Sequence, residues 1–203
     1  MNRGRFVVFE GIDASGKSTQ ARRVADERGA RFTFEPGDTL LGADLRRWLL
    51  DVRAPMTAVT ESLLMLADRS HHVATVIEPT LAAGGSVVSD RYWASSMAYQ
   101  GYGRGVDLAR LRAATDLAIG DCRPDVTILL DVPVTVADDR RRRDDRDRFE
   151  SADIEFHERV RAGYLEMAAA DELHWRVIDG TADESTVSSR VDAVLAELVW
   201  PGG

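Results

Sequence analysis

The sequence predicts an α/β protein in three layers, with five parallel strands in one sheet and helices on both faces. Three observations predict it. Short apolar runs alternate with longer segments of helical composition, the pattern of parallel strands joined by crossover helices. A glycine-rich stretch stands where the first strand hands over to the first helix. The remaining charged motifs fall where strands would end, the edge at which such sheets bind ligands.

Taken in chain order, Phe6 to Phe9 is an apolar run that fits a buried strand, read as Phe6–Glu10. Helix Lys17–Arg28 follows the glycine-rich stretch, then strand Arg31–Phe34. Helices Ala43–Asp51 and Thr57–Ile77 lead to strand Ser86–Asp90, built on the apolar Val87-Val88. Helices Trp93–Gln100 and Asp107–Ile119 precede strand Val126–Asp131. Helices Thr135–Arg143 and Ile154–Ala170, strand Trp175–Asp179 and helix Ser185–Val199 complete the order. No repeat, low-complexity linker or composition break interrupts this alternation, so residues 1–203 are read as one domain.

Composition narrows the function classes. Hydrophobic residues make up 44% and charged residues 30%, ordinary for a globular chain. No apolar run approaches the roughly 18 residues of a membrane span, and the N-terminal residues show no signal-peptide pattern, so a cytosolic location is expected. The net charge of −8 argues against a general nucleic-acid or anionic-membrane partner. The single cysteine, Cys122, excludes an internal disulfide. His71 and His72 are adjacent on a helix and point in different directions, so they make no metal pair, and His157 and His174 are isolated.

Gly11-Ile12-Asp13-Ala14-Ser15-Gly16-Lys17-Ser18 is a full match to GxxxxGK[ST], and Thr19 follows it. In strand–loop–helix context this is a phosphate-binding P-loop, which makes the expected fold that of the P-loop NTPases. The glycines let backbone N–H groups face phosphates, and the helix N-terminus adds positive potential. Lys17, the only lysine in the chain, reaches the β- and γ-phosphates of a nucleoside triphosphate, and the Ser18 hydroxyl suits Mg²⁺. Asp90 closes the strand Val87-Val88 and is a second Mg²⁺ candidate; Arg91 beside it can fork onto a phosphate. Residues 138–148 hold six arginines and five aspartates, and are read as an arginine-rich lid, about 138–150, that closes over a transferring phosphoryl group. A P-loop switch protein would carry a guanine-reading Asn-Lys-x-Asp, and the sole lysine at Lys17 excludes it.

The motifs then combine into a resemblance. Phe9-Glu10 with the P-loop, Glu35-Pro36-Gly37, Asp90-Arg91-Tyr92 followed by Ser95-Ser96 and Ala98-Tyr99-Gln100-Gly101, Pro124-Asp125 with Leu130-Asp131-Val132-Pro133, Arg148-Phe149-Glu150, Phe156 to Tyr164 and Val177-Ile178-Asp179 resemble, in order and spacing, the thymidylate kinase family. The resemblance runs from about Arg5 to about Leu198 and implies Mg²⁺-dependent transfer of the γ-phosphoryl of ATP to dTMP, giving dTDP. It implies Arg69 at the thymine edge, Ser96 and Gln100 as polar contacts near the base, Tyr99 under the deoxyribose, Arg91 on the acceptor phosphate, and Asp13 near the acceptor sugar and phosphate. Pro36 belongs to the same acceptor set. The family places a catalytic arginine in the P-loop or in the lid; Ala14 holds the P-loop position here, so the lid arginines Arg140, Arg142 and Arg146 are expected to supply it. Homodimers are common in the family, with the apolar Leu63–Leu66 as a candidate surface.

Three positions depart from the family pattern. Phe34 stands where an arginine usually precedes Glu-Pro-Gly, with Arg46 or Arg47 as possible compensation; Met65 takes the place of a phenylalanine that stacks on thymine; Asp38 replaces a glycine. A nucleoside-monophosphate kinase with another base, a deoxynucleoside kinase, or a degenerate P-loop binding module are the alternatives.

Overall fold

The computed structural model describes residues 3–51, 53–140 and 153–200. Its centre is β1 (Phe6–Glu10), every residue of which is buried. β1 pairs in parallel with β3 (Val87–Asp90) on one side and β4 (Val126–Asp131) on the other. β2 (Arg31–Phe34) extends the sheet beyond β3, and β5 (Trp175–Asp179) beyond β4, giving the order β2-β3-β1-β4-β5. The expected five-stranded parallel sheet is thus present. Its near-continuous apolar strands follow from burial on both faces.

One face carries Val7, Phe9, Val88, Ile128, Leu130 and Ile178, which pack on α1 (Lys17–Arg28) and α9 (Glu184–Leu195). On the other face lie Phe6, Val8, Val87 and Leu129. They meet α3 (Ala58–His72) with its continuations, α6 (Leu108–Ile119) and α8 (Ile154–Ala170) through the clusters around Ile77, Tyr92, Ile119, Val160 and Tyr164. Among the described residues no helix is long and apolar enough to cross a membrane.

Five helices differ from expectation: α9 ends at Leu195 rather than Val199, and four others differ for local reasons. α2 spans Leu40–Leu50, earlier than expected, because the Thr39 hydroxyl accepts from Gly42 N at 2.9 Å and starts it. The helix expected to end at Ile77 runs on through a π turn, Val73–Ile77, into α4 (Glu78–Ala82). Pro79 cannot donate to the helix ladder and its ring crowds the carbonyl four residues back; the wider turn before it relieves both. α5 (Trp93–Ser96) likewise passes into a π segment, Met97–Gly103, which carries Tyr99 and Gln100. α7 is Val134–Arg140, and residues 141–143 of the expected helix lie outside the described residues.

α2 packs against α3 at one unusually close point. A Cβ on Gly42 would sit 2.2 Å from Asp68 Oδ1, so only glycine fits. Asp68 is buried, and its carboxyl takes the Gly37 N–H. Burial, reinforced by the negative charge of Glu35, pushes its pKa up to about 6. The folded state therefore binds this proton more tightly than the unfolded chain. Stability from this group falls as pH rises between about 4 and about 6, and a neutral-pH cost of about 3 kcal/mol results. Asp68→Asn keeps the acceptor for Gly37 N–H and removes the charge. Urea unfolding at pH 7 is expected to show the variant more stable than the parent, with the gap closing by pH 4; a gap independent of pH overturns this account.

Candidate active site

The P-loop leaves β1 at Gly11, which has φ 145°; a Cβ there would lie 2.7 Å from Leu130 O. Gly16, at φ 93°, turns the chain into α1. Between them Ala14 adopts φ 62°, a left-handed conformation that costs an alanine about 1 kcal/mol. Lys17 is buried against its own loop, with Nζ 3.5 Å from Ile12 O and 3.6 Å from Asp13 Oδ1. Burial, aided by the charge of Arg91, lowers its pKa; Asp13 and Asp90 oppose the shift. The Ser18 hydroxyl bonds Asp90 Oδ2, while Asp90 Oδ1 is buried without a hydrogen-bond partner among the described residues.

Arg91 joins the P-loop to three helical elements. At φ 73° it turns out of β3, and its Nη1 donates to Gly11 O at 3.1 Å, Ser95 Oγ at 3.2 Å and Tyr164 Oη at 3.3 Å. Its Nη2 donates to Asp13 Oδ1 and, at 3.2 Å, to Tyr99 Oη, which in turn donates to Asp13 Oδ2 at 2.7 Å. Burial opposes the charge on Arg91, but Tyr99 and Asp13 outweigh it and raise its pKa. Beneath lies Glu10, fully buried, accepting from Tyr92 N (2.9 Å), Ser95 N (3.1 Å), Ser95 Oγ (2.7 Å) and Tyr164 Oη (2.8 Å). Burial raises the Glu10 pKa against the pull of Arg91. The sequence reading gave Glu10 no role; a carboxylate closing an otherwise apolar strand was its only signal.

Beside this cluster a pocket is lined by Asp13, Glu35, Pro36, Arg46, Leu50, Met65, Arg91, Ser95, Tyr99 and Gln100. Six expected acceptor residues, Asp13, Pro36, Met65, Arg91, Tyr99 and Gln100, thus come together from five separate segments. Arg69 and Ser96 do not line it; they stand behind it. Arg69 is fully buried, donating from Nε to Glu35 Oε2 (2.7 Å), from Nη1 to Ser96 Oγ (2.8 Å) and from Nη2 to Tyr92 O (2.9 Å). Phe34 is also absent from the lining, and the Arg46 guanidinium lies 5.7 Å from its ring. Arg46 donates to Pro36 O at 2.7 Å, whereas Arg47 pairs with Asp44 on the surface. Gln100 donates to Glu61 Oε1 at 3.0 Å, and its own Oε1 is buried with no hydrogen-bond partner among the described residues.

A second cavity opens on the far side of the P-loop, lined by Ser15, Gly16, Thr19, Gln20, Arg140, Gly180, Ala182, Glu184 and Val187. Arg140 Nη2 reaches Gly180 O at 3.0 Å and Thr181 O at 3.3 Å. Of the lid arginines named from the sequence, Arg142 and Arg146 lie outside the described residues.

The P-loop thus borders two pockets, one through Asp13 and the other through Ser15, Gly16 and Thr19. A family model described as thymidylate kinase matches residues 9–191. The thymidylate kinase of Desulforudis audaxviator (strain MP104C) is 46% identical over 211 residues, covering 98% of this chain and 96% of that protein. The thymidylate kinase of Oleidesulfovibrio alaskensis (strain ATCC BAA-1058 / DSM 17464 / G20) is 42% identical, covering 97% and 100%. The crystal structure of thymidylate kinase from Ehrlichia chaffeensis superposes with a TM-score of 0.76 at 33% identity, covering 94% of this chain and 98% of that one. With its parallel sheet, its P-loop and a sequence match at this level over almost its full length, the chain belongs to the thymidylate kinase family.

Proposed function

We propose that this protein transfers the γ-phosphoryl group of ATP to dTMP, giving dTDP. The observation that carries the reading is the pocket in which Arg91, Tyr99, Gln100 and Met65 meet the P-loop residue Asp13. A phosphate beside Arg91 and Arg46 sits next to Lys17; a base then extends toward Met65 and Gln100. The triphosphate of ATP lies along Gly11 to Thr19, with its base toward the cavity that Arg140 borders.

Each residue has a physical task. Arg91 forks onto the acceptor phosphate, and Asp13 holds it there together with Tyr99. Tyr99 packs under the deoxyribose and leaves no room for a 2′-hydroxyl. Gln100 Oε1 is a buried acceptor that a base N–H would satisfy. Arg69, expected at the thymine edge, is fully buried behind the pocket, where Glu35, Ser96 and Tyr92 O take its donors and it supports the pocket wall. Arg46 supplies the cation that Phe34 does not. Lys17 neutralises charge between donor phosphates, and lid arginines from Arg140, Arg142 and Arg146 close over them.

Ser18 and Asp90 fit Mg²⁺: two hard oxygen donors in contact, one carboxylate oxygen buried without a partner among the described residues. Held by Ser18 and Asp90, Mg²⁺ would offset the charge of the donor phosphates. Among the described residues no cluster of three His, Cys, Asp or Glu side chains suggests another metal site.

The chain is also proposed to work in the cytoplasm as one domain and as a homodimer, without nucleic-acid or membrane partners. Trp48, Val59 and Leu63 expose apolar side chains on α2 and α3. Leu66, part of the surface first considered, is turned into the core and cannot contribute.

A coupled ADP-release assay over dTMP, dUMP, dCMP, dGMP and AMP is expected to favour dTMP. Equal or better turnover of another acceptor sinks the dTMP assignment. In the same assay Met65→Phe is expected to lower the KM for dTMP about 2- to 10-fold, because ring stacking adds about 0.5–1.5 kcal/mol. Arg91→Lys keeps the charge and loses the fork, and kcat/KM for dTMP should fall about 100-fold with little change in KM for ATP. A variant within a fewfold of the parent would remove Arg91 from the phosphate.

A further inference from the structure

His72 lies on α3 one turn beyond Arg69 and is buried. Its two ring nitrogens reach Thr33 on β2 and Glu35 at the start of the turn, residues 35–38, that leads from β2 to α2 and gives the acceptor pocket Glu35 and Pro36. Nδ1 is 2.9 Å from Glu35 Oε1. Nε2 is 2.6 Å from Thr33 Oγ1, which donates to Asp38 Oδ2, also at 2.6 Å. Asp38 Oδ2 receives Arg31 Nη2 at 2.8 Å as well.

Counting protons fixes the state of the ring. A threonine hydroxyl has one proton, and here Asp38 takes it. Thr33 can then only accept from His72, so Nε2 carries a hydrogen. Glu35 is an ionised acceptor: burial raises its pKa, but the buried Arg69 guanidinium at 2.7 Å holds it in the charged form and the shift is downward. Nδ1 must therefore carry a hydrogen too. Both nitrogens donate, and the ring in this arrangement is an imidazolium.

We infer that His72 is a positioning residue of the acceptor site, clamped as a cation between Glu35 and Thr33 so that the pocket turn and the Arg69 guanidinium are held in one geometry. The inference rests on the assignment of the pocket to a nucleoside monophosphate. The connection is continuous: Asp38 to Thr33, to His72, to Glu35, to Arg69 and on to Ser96. Charged groups face the ring from two directions, Asp68 and Arg69 from its own helix, and Arg31, Glu35 and Asp38 from β2 and the turn. A neutral ring would leave Glu35 or Thr33 facing a bare lone pair inside the protein, where an unmade hydrogen bond is expensive.

The test compares steady-state constants for dTMP and for ATP in the parent, His72→Phe, His72→Asn and Thr33→Val. His72→Phe fills the volume without donors; the KM for dTMP is expected to rise about tenfold, the worth of one charge-assisted hydrogen bond. The KM for ATP and kcat should stay within about twofold, because the P-loop contacts are remote from the ring. Asn places a donor toward Glu35 and should recover most of the loss. A His72→Phe protein with the parent's KM for dTMP overturns the inference, as does an equal rise for both substrates or an Asn variant as impaired as Phe. Should His72→Phe fail to fold, Thr33→Val decides: it removes the acceptor for Nε2, so the KM for dTMP should rise and that for ATP should not, and the absence of that selectivity overturns the inference. Long-range proton–nitrogen spectra of the parent should show both His72 ring nitrogens protonated; one bare nitrogen overturns the charge. If the parent prefers another nucleoside monophosphate, the thymine reading fails and the KM comparison passes to that acceptor. A parent that turns over none of them overturns both.

Discussion

A guanidinium cannot be buried unless its charge and its donors are met, because removing it from water costs several kcal/mol. Arg91 is largely withdrawn from solvent at the end of β3, and satisfying it organises the site. Gly11 O, Asp13, Ser95, Tyr99 and Tyr164 come from the P-loop, α5, the π segment and α8, and all converge on its two terminal nitrogens. The left-handed backbone of Arg91 is the conformational cost of aiming the side chain back across β1 toward the P-loop. Glu10 then anchors the groups that anchor Arg91, taking both Ser95 and Tyr164.

The same constraint sets the electrostatics. Lys17 and Arg91 stand on either side of Asp13, which pairs with both. The depressed pKa of Lys17 reflects burial first and Arg91 next, with the carboxylates of Asp13, Asp90 and Glu10 opposing both. Arg46 brings a further cation to the rim of the same pocket.

Legibility in the sequence followed the range of the interactions. The strands were readable almost to the residue, since a central parallel strand must be apolar along its length. The P-loop was readable because its chemistry lies within nine consecutive residues. The two π segments were not: both fall in stretches expected as ordinary helix, and a widened turn leaves no mark on apolar periodicity. Arg69 and Ser96 were recognised by resemblance, but nothing local reveals that they bond each other behind the pocket wall. Glu10 and His72 escaped because their partners are distant: Glu10 meets a tyrosine 154 residues away, and His72 meets Thr33 39 residues back. His72 looked like one of two unremarkable helix histidines until β2 was set beside it. Arg142 and Arg146, expected in a lid, lie outside the described residues, and the structure adds nothing to them.

Ser95 and Ser96 bring these threads to one place. Ser95 Oγ belongs to the phosphate side, bonding Glu10 and receiving Arg91. Ser96 Oγ, one residue on, receives Arg69, whose Nε partner Glu35 also meets His72. On a helix, successive side chains diverge by about 100°, so adjacent serines serve opposite sides of one short turn. α5 is only four residues long, too short to flex internally without breaking its own hydrogen bonds. In the proposed reading the base-side and phosphate-side networks thus meet on one short helical turn, and the packed π segment that follows it carries Tyr99 and Gln100.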